Sequence, residues 1–341
     1  MSAKRARPSP VLELHRLTLL VGGAAMLAAA ALVGVAWSAG FGRVLHGLIH
    51  PNWLWLGVAV AGEIVAYAGY TVAYREVARA EHGVELDVPK AAALVAVGFG
   101  VFVHAGGFAL DREALQRVGL AKREARRRVL GLSMLEYAVL APATLVSAVL
   151  VVFWQQTISL SLTLPWIIGV PVGACLAFVG LRHRGRVRQW RFIGEPLDRA
   201  LLALALVLGL LRPPHRHGLA VLGTLVYWGG DVFCLWATLH AFSAHTPPAA
   251  QLIVGYSTGY ALTRRALPVG GAGVVEALLP FALGWLKIAL APALLAVFAY
   301  RLINLWLPIV PALAGLPTLR QLEQPRRRQT RTLRRGATRI R

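Results

Sequence analysis

Along most of this chain the polar positions gather into short clusters, and the apolar positions fill runs of about 20 residues, enough to cross a bilayer as a helix. Leu17–Ala39 is the first run. It is too long for the apolar core of a signal peptide, and its small residues Ala28-Ala29-Ala30-Ala31 lie in the middle, so a retained first helix is expected. Asn52–Tyr74, Val129–Phe153, Leu162–Leu181, Gly218–His240 and Ile288–Leu316 are the further full spans. Leu197–Leu211 is short for a crossing and is expected to be interfacial or partly inserted.

Two apolar stretches end in glycine breaks instead of polar loops. Val88–Ala109 stops at His104-Ala105-Gly106-Gly107, and Pro247–Leu267 runs into Pro268-Val269-Gly270-Gly271-Ala272-Gly273. A break at membrane depth leaves backbone N–H and C=O groups bare. A bilayer tolerates that only where protein buries them or a wet cavity receives them. A helix restarting at Val274 would aim free N–H groups and its positive dipole end into such a cavity. Glu276 falls in its first turn, and Arg301 lies well inside the next span. Lipid would not accept either charge, and intramembrane ionisable groups default to function. The plainer alternative is a re-entrant turn whose acid complements a helix start.

Composition fixes the class. Of the 341 residues, 57% are hydrophobic and 15% charged, and the mean hydropathy is +0.60. Soluble domains carry about 25% charged residues, so this is a polytopic membrane protein. The net charge of +21 is uneven, with nine arginines from Arg320 onward against the single acid Glu323. Beside a last span, such a tail is expected to meet anionic headgroups on the cytoplasmic face. No aromatic stacking module accompanies it, and nucleic acid is not an expected partner. Cys175 and Cys234 offer neither a disulfide framework nor a metal spacing, and no cofactor is expected.

Basic clusters orient the chain. If Val88–Ala109 crossed fully, the seven basic residues between Arg112 and Arg128 would face away from the basic N-terminus. Letting that stretch dip in and return brings both termini and the main arginine clusters to the cytoplasmic side of the plasma membrane. An internal repeat agrees with this. Glu113-Ala-Leu-x4-Leu120 ending at Tyr137 matches Glu276-Ala-Leu-x4-Leu283 ending at Tyr300, at an offset of 163, each behind a Gly-Gly break. The predicted fold is therefore all-α: about six full spans plus two re-entrant helical segments in an inverted-topology repeat. A basic N-terminus (1–16) precedes a membrane domain (17–316, repeats about 17–153 and 162–316) and an Arg-rich tail (317–341). Two re-entrant hairpins that merely plug a bundle are the alternative.

At these residues the chain resembles the lysylphosphatidylglycerol synthase transmembrane (flippase-like) family. The similarity runs from about Leu54 to Leu316 and rests most on Pro268, Gly270, Gly271, Gly273, Glu276 and Tyr300-Arg301. Trp228-x-x-Asp231, Gly119-Leu120 and the Glu136 helix also fit its pattern. The first break departs from it: His104-Ala-Gly-Gly-Phe-Ala-Leu-Asp111-Arg112-Glu113 stands where relatives commonly have a Pro-x-Arg-x-Gly-Glu element, and Val269 stands where a proline often precedes the glycines. No aminoacyl-transferase domain is expected after Leu316. The resemblance implies lipid translocation or lipid binding, without aminoacylation by this chain.

The candidate substrate-binding or coupling residues are Glu276, Arg301, Arg264, Arg265, Asp231, Gly270, Gly271, Gly273, Glu63, Glu136, Asp111, Arg112 and Glu113. Glu276 and Arg301 could pair across a cavity, for structure or for function. Asp231 and Glu63 sit near span centres, where acids serve proton relays or interhelical hydrogen bonds. Arg264-Arg265 would suit a phosphate, which guanidinium matches bidentately. Asp111-Arg112-Glu113 divides between site and solvated interface. The expected function is a lipid flippase or transporter for an anionic or modified headgroup, not an enzyme. Open alternatives are a membrane-embedded transferase on a lipid-linked substrate and a non-catalytic partner of a separate lipid synthase. A homodimer is possible on this reading.

Overall fold

A computed structural model describes residues 10–81, 83–100, 112–113, 115–116, 118–154, 159–189, 193–211, 214–261 and 271–308. Within them the chain is helical, with no strand. The helices are α1 (Pro10–Ala39), α2 (Phe41–Ile49), α3 (Trp53–Arg79), α4 (Val88–Gly100), α5 (Lys122–Trp154) and α6 (Leu160–Arg182). They continue with α7 (Arg184–Val187), α8 (Gly194–Leu211), α9 (Pro214–Ala241), α10 (Ala249–Tyr256), α11 (Val274–Trp285) and α12 (Leu290–Arg301). Two π-helical segments, Ser257–Ala261 and Leu302–Trp306, extend α10 and α12.

Four helical stretches are long and apolar enough to cross a membrane: α3, α5, α6 and Gly218–Ala241 of α9. A fifth arises if α1 and α2, bent by 109° at Gly40, form one broken span. The protein is thus a multi-pass membrane protein with four to five candidate spans among the described residues. The expected sixth, Ile288–Leu316, is described to residue 308 as α12 and its π extension. α8 is not among the candidate spans; it lays Leu201, Leu206 and Leu210 into the interior, with Leu206 against Gly131 of α5.

The centre of the fold is the contact between α3 and α9. Gly62 and Gly69 on α3 meet Gly230 and Gly223 on α9 so closely that a Cβ on Gly69 would lie 2.6 Å from the Gly223 carbonyl oxygen. A Cβ on Gly230 would lie 2.7 Å from the Gly62 oxygen. The two helices therefore run antiparallel, backbone on backbone, as small residues permit where lipid offers no hydrophobic drive. Asn52 starts α3 by accepting the Leu54 N–H at 3.1 Å, while its own N–H donates to the Ala241 carbonyl at the end of α9 at 2.8 Å.

The other end of α3 is closed by a residue expected only as a topology signal. Arg128 on α5 is buried, and its Nη2 donates to the Ala80 carbonyl at 2.7 Å and its Nε to the Ala78 carbonyl at 3.2 Å. These are carbonyls that a helix end leaves without an intrahelical partner. Glu124 holds the same guanidinium at 2.6 Å. Outside the spans, Arg184 grips Asp198 through Nε, and this hydrogen bond holds the Asp198 carboxyl below its ordinary range.

Candidate functional site

The polar centre grows out of the glycine contact. Because Gly62 and Gly230 bring the backbones together, the next residues on each helix, Glu63 and Asp231, are carried into the interior, 2% and 0% exposed. A carboxyl buried this deeply needs donors. Asp231 accepts from the Tyr256 hydroxyl, from the Tyr300 hydroxyl at 2.8 Å and from Nδ2 of Asn304 at 2.8 Å. The same Nδ2 donates to Oε1 of Glu63 at 3.0 Å, so one amide bridges the two acids. The Tyr260 hydroxyl donates to Oδ1 of Asn304 at 2.8 Å and fixes the amide's orientation. Tyr260 and Asn304 both stand in the π segments, where the wider helical turn is a recurrent feature of functional sites.

A second polar pair stands beside the first. Gly271 and Gly273 adopt φ of +72° and +84°, which suits glycine, and α11 starts directly after them. Glu276, in its first turn, folds back to accept the Gly273 N–H at 2.7 Å through Oε2. Its other oxygen accepts from Nε of Arg301 at 2.8 Å. Both residues are buried. The Arg301 guanidinium also lies 5.7 Å from the Tyr260 ring centre, which joins the ion pair to the amide-bridged acids. At this helix start the protein's own carboxylate takes the Gly273 N–H, as in the alternative of an acid that complements the restart at Val274.

A cavity of about 310 Å³ opens against this pair. Glu276 and Arg301 line it together with Phe298, Trp306 and, from α1, Ala28 and Leu32. α1 comes close to the glycine break, since a Cβ on Gly273 would lie 3.1 Å from that of Leu27. A separate groove of about 490 Å³ lies between α5, α9 and α10 and is almost wholly apolar, with Trp228, Phe233 and Trp236 in its walls. Trp228 also donates from Nε1 to the Glu136 carbonyl at 3.0 Å, and its ring meets that of Tyr256 at 6.0 Å.

The predicted residues therefore fall into groups. Glu63 and Asp231 come together through Asn304, and Glu276 and Arg301 pair directly, with Gly271 and Gly273 shaping the approach. Glu136 is buried on α5 and meets Trp228 through its backbone oxygen. Arg112 is half-buried and Glu113 exposed on the turn ahead of α5. Asp111, Arg264, Arg265 and Gly270 lie outside the described residues, as do the first Gly-Gly break and the Arg-rich tail.

Sequence reasoning missed Tyr256, Tyr260 and Asn304. A signal for them exists: Glu63 and Tyr67, Tyr227 and Asp231, Tyr256 and Tyr260, and Tyr300 and Asn304 each stand four positions apart within apolar helix. That spacing stacks two polar groups on one helix face. No family model matches the chain, and a search of the curated proteins finds no match, so the reading of the site rests on its geometry and its residues.

Proposed function

We propose that this protein is a lipid flippase or transporter that carries a lipid with an anionic or modified headgroup, as its resemblance to the flippase-like family implies. The observation that carries the reading is the Glu276–Arg301 pair, buried among membrane helices yet lining a cavity whose other walls are mostly apolar. Arg301 offers a phosphate a guanidinium partner, and the apolar walls suit the start of a hydrocarbon tail. Arg264 and Arg265, just before the glycine break, join it as headgroup ligands in this reading.

The order of elements supports an inverted-topology repeat. α3, α4, a stretch whose sequence holds Gly106-Gly107, helical residues 112–113 and 115–116, and α5 are followed in the second half by α9, α10, a stretch whose sequence runs into Gly270-Gly271, α11 and α12. Antiparallel α3 and α9, each with an acid directly after a contact glycine, are what a two-fold axis in the membrane plane would relate. In this reading there are six spans, both termini face the cytoplasm, the arginine tail meets anionic plasma-membrane lipid, and a lipid synthase is the natural functional partner.

The test is leaflet exchange in vesicles containing the purified protein, with co-purified lipids identified by mass spectrometry. One anionic lipid class enriched over bulk membrane and exchanged between leaflets is the expected result. Exchange that persists in Arg301→Ala, or only bulk lipid in bulk proportions, would overturn the assignment.

A further inference from the structure

We infer that Glu63 and Asp231 share one proton, and that this pair couples lipid movement to proton movement; the coupling rests on the lipid-transport reading above. One nitrogen, Nδ2 of Asn304, donates to Oδ1 of Asp231 at 2.8 Å and to Oε1 of Glu63 at 3.0 Å, so two carboxyls meet across a single atom. Both are almost fully buried. Two carboxylates this close in a water-poor interior resist ionising together, and one proton between them relieves the conflict. The described hydrogen-bond donors to Asp231 are the hydroxyls of Tyr256 and Tyr300 and the Asn304 amide, all neutral. They can hold a single negative charge without cancelling it. The site is therefore built for two carboxyls and one proton.

The surroundings favour exchange of that proton. The titratable and charged groups around the pair are Tyr67 from α3, Cys234 from α9, and Tyr256 and Tyr260 from α10 and its π extension. Tyr300 and Arg301 join them from α12, Glu276 from α11 as the partner of Arg301, and Glu136 stands on α5 behind Trp228. Tyrosine hydroxyls both donate and accept, so those that meet Asp231 can pass a proton without ionising. The acids sit on α3 and α9, the paired central helices of the two halves, whereas Asn304, Tyr256 and Tyr300 all come from the second half. A shift of one half against the other would break the bridge between the acids.

Linkage to lipid follows from Arg301, which directly follows Tyr300 and precedes Asn304 by three positions on the same helix. Its positive charge is matched by Glu276 in the buried ion pair. An anionic headgroup that takes Arg301 as its partner therefore adds a negative charge near the acids and favours their protonation, so lipid binding and proton binding reinforce one another, each by the same factor. The inferred mode is symport: the Glu63–Asp231 pair keeps its shared proton throughout, a second proton enters the pair as the lipid enters, and that second proton leaves when the lipid leaves.

The experiment uses the whole chain in vesicles of phosphatidylethanolamine and phosphatidylglycerol. It follows leaflet exchange of acyl-labelled fluorescent phosphatidylglycerol together with a luminal pH dye. A pH gradient is expected to accelerate exchange about tenfold, the scale of ordinary coupling. A protonophore should abolish that gain, and Glu63→Gln and Asp231→Asn should remove the gradient dependence. Independently of transport, the infrared band of a protonated carboxyl should be present in the wild type at neutral pH and absent from the Glu63→Gln/Asp231→Asn double variant. Lipid exchange that ignores the gradient overturns the coupling and leaves the lipid reading standing. A band that survives in the double variant, or is missing from the wild type, overturns the shared proton. With the band as expected but no exchange in wild type, the lipid reading and its coupling both fail, and the shared proton remains.

Discussion

Arg301 and Glu276 meet Nε to Oε1 at 2.8 Å across 25 positions of sequence, each side chain 2% exposed. A buried pair of this kind contributes little net stability when intact, because both charges have lost their hydration. Breaking it is another matter. Arg301→Gln or Glu276→Gln alone strands an uncompensated charge, and a loss of about 3–5 kcal/mol is expected. The double variant Glu276→Gln/Arg301→Gln should lose clearly less than the sum of the two. Thermal unfolding of all four proteins in one detergent measures this. Under the transport reading the double variant folds yet moves no lipid, which separates a structural failure from a functional one.

The α3–α9 contact makes an equally direct demand. In Gly69→Ala the new Cβ would sit 2.6 Å from the Gly223 oxygen and 2.7 Å from the Tyr227 nitrogen, both backbone atoms with no rotamer to move to. The helices must part, at a cost of about 1–3 kcal/mol or more. Gly57, on the same helix, has nothing within 4 Å of its ideal Cβ, so Gly57→Ala should be neutral or gain up to about 1 kcal/mol from helix propensity. Detergent-solubilised melting temperatures of the two variants are expected to diverge in this order.

What could be read in advance follows from how local each signal is. The spans at α3, α5, α6 and α9 announce themselves through continuous apolar runs, and the restart at Val274 through the glycines before it. Glu276 and Arg301 stood out because a charge inside such a run needs a partner. The sequence leaves open whether Glu276 meets Arg301 or complements its own helix start; the structure gives it both, one oxygen to Arg301 and the other to Gly273. Asn304 carries no such mark, because an uncharged amide in an apolar run looks like any tolerated polar residue. Its importance comes from a π segment, whose wider winding is not encoded in the apolar period. Arg128 was hidden by its company: six other basic residues lie between Arg112 and Arg127, and only the end of α3 distinguishes it.

The two cysteines give a test of which helix faces are covered. Cys234 is fully buried beside Asp231 on α9, whereas Cys175 is exposed on α6, a helix with only Leu162 and Thr163 buried. Thiol reaction requires access as well as a thiolate. In mild detergent at alkaline pH, N-ethylmaleimide, which enters the micelle, should therefore add once, at Cys175 on the detergent-facing side of α6, and a second time only after denaturation. Intact-mass spectrometry reads the count, and peptide mapping the position. Two adducts on the folded protein would mean that the α3–α9 contact opens far more readily than its glycine packing implies.

The Arg184–Asp198 pair carries a pH signature outside the spans. Hydrogen bonding to Arg184 lowers the Asp198 carboxyl from its ordinary 3.8, so the folded state releases this proton more readily than the unfolded chain does. The sign follows: the pair's stabilisation is fully present above about pH 4 and fades as pH falls through the lower folded value. Arg184 is 39% exposed, and solvent screening limits the contribution to about 1 kcal/mol or less. Wild type should thus melt slightly above Asp198→Asn at pH 7, with the gap closing near pH 3 and narrowing when salt is raised at neutral pH. A gap that survives acid unchanged would mean that Asp198 acts through its shape at the start of α8 and that its charge contributes nothing.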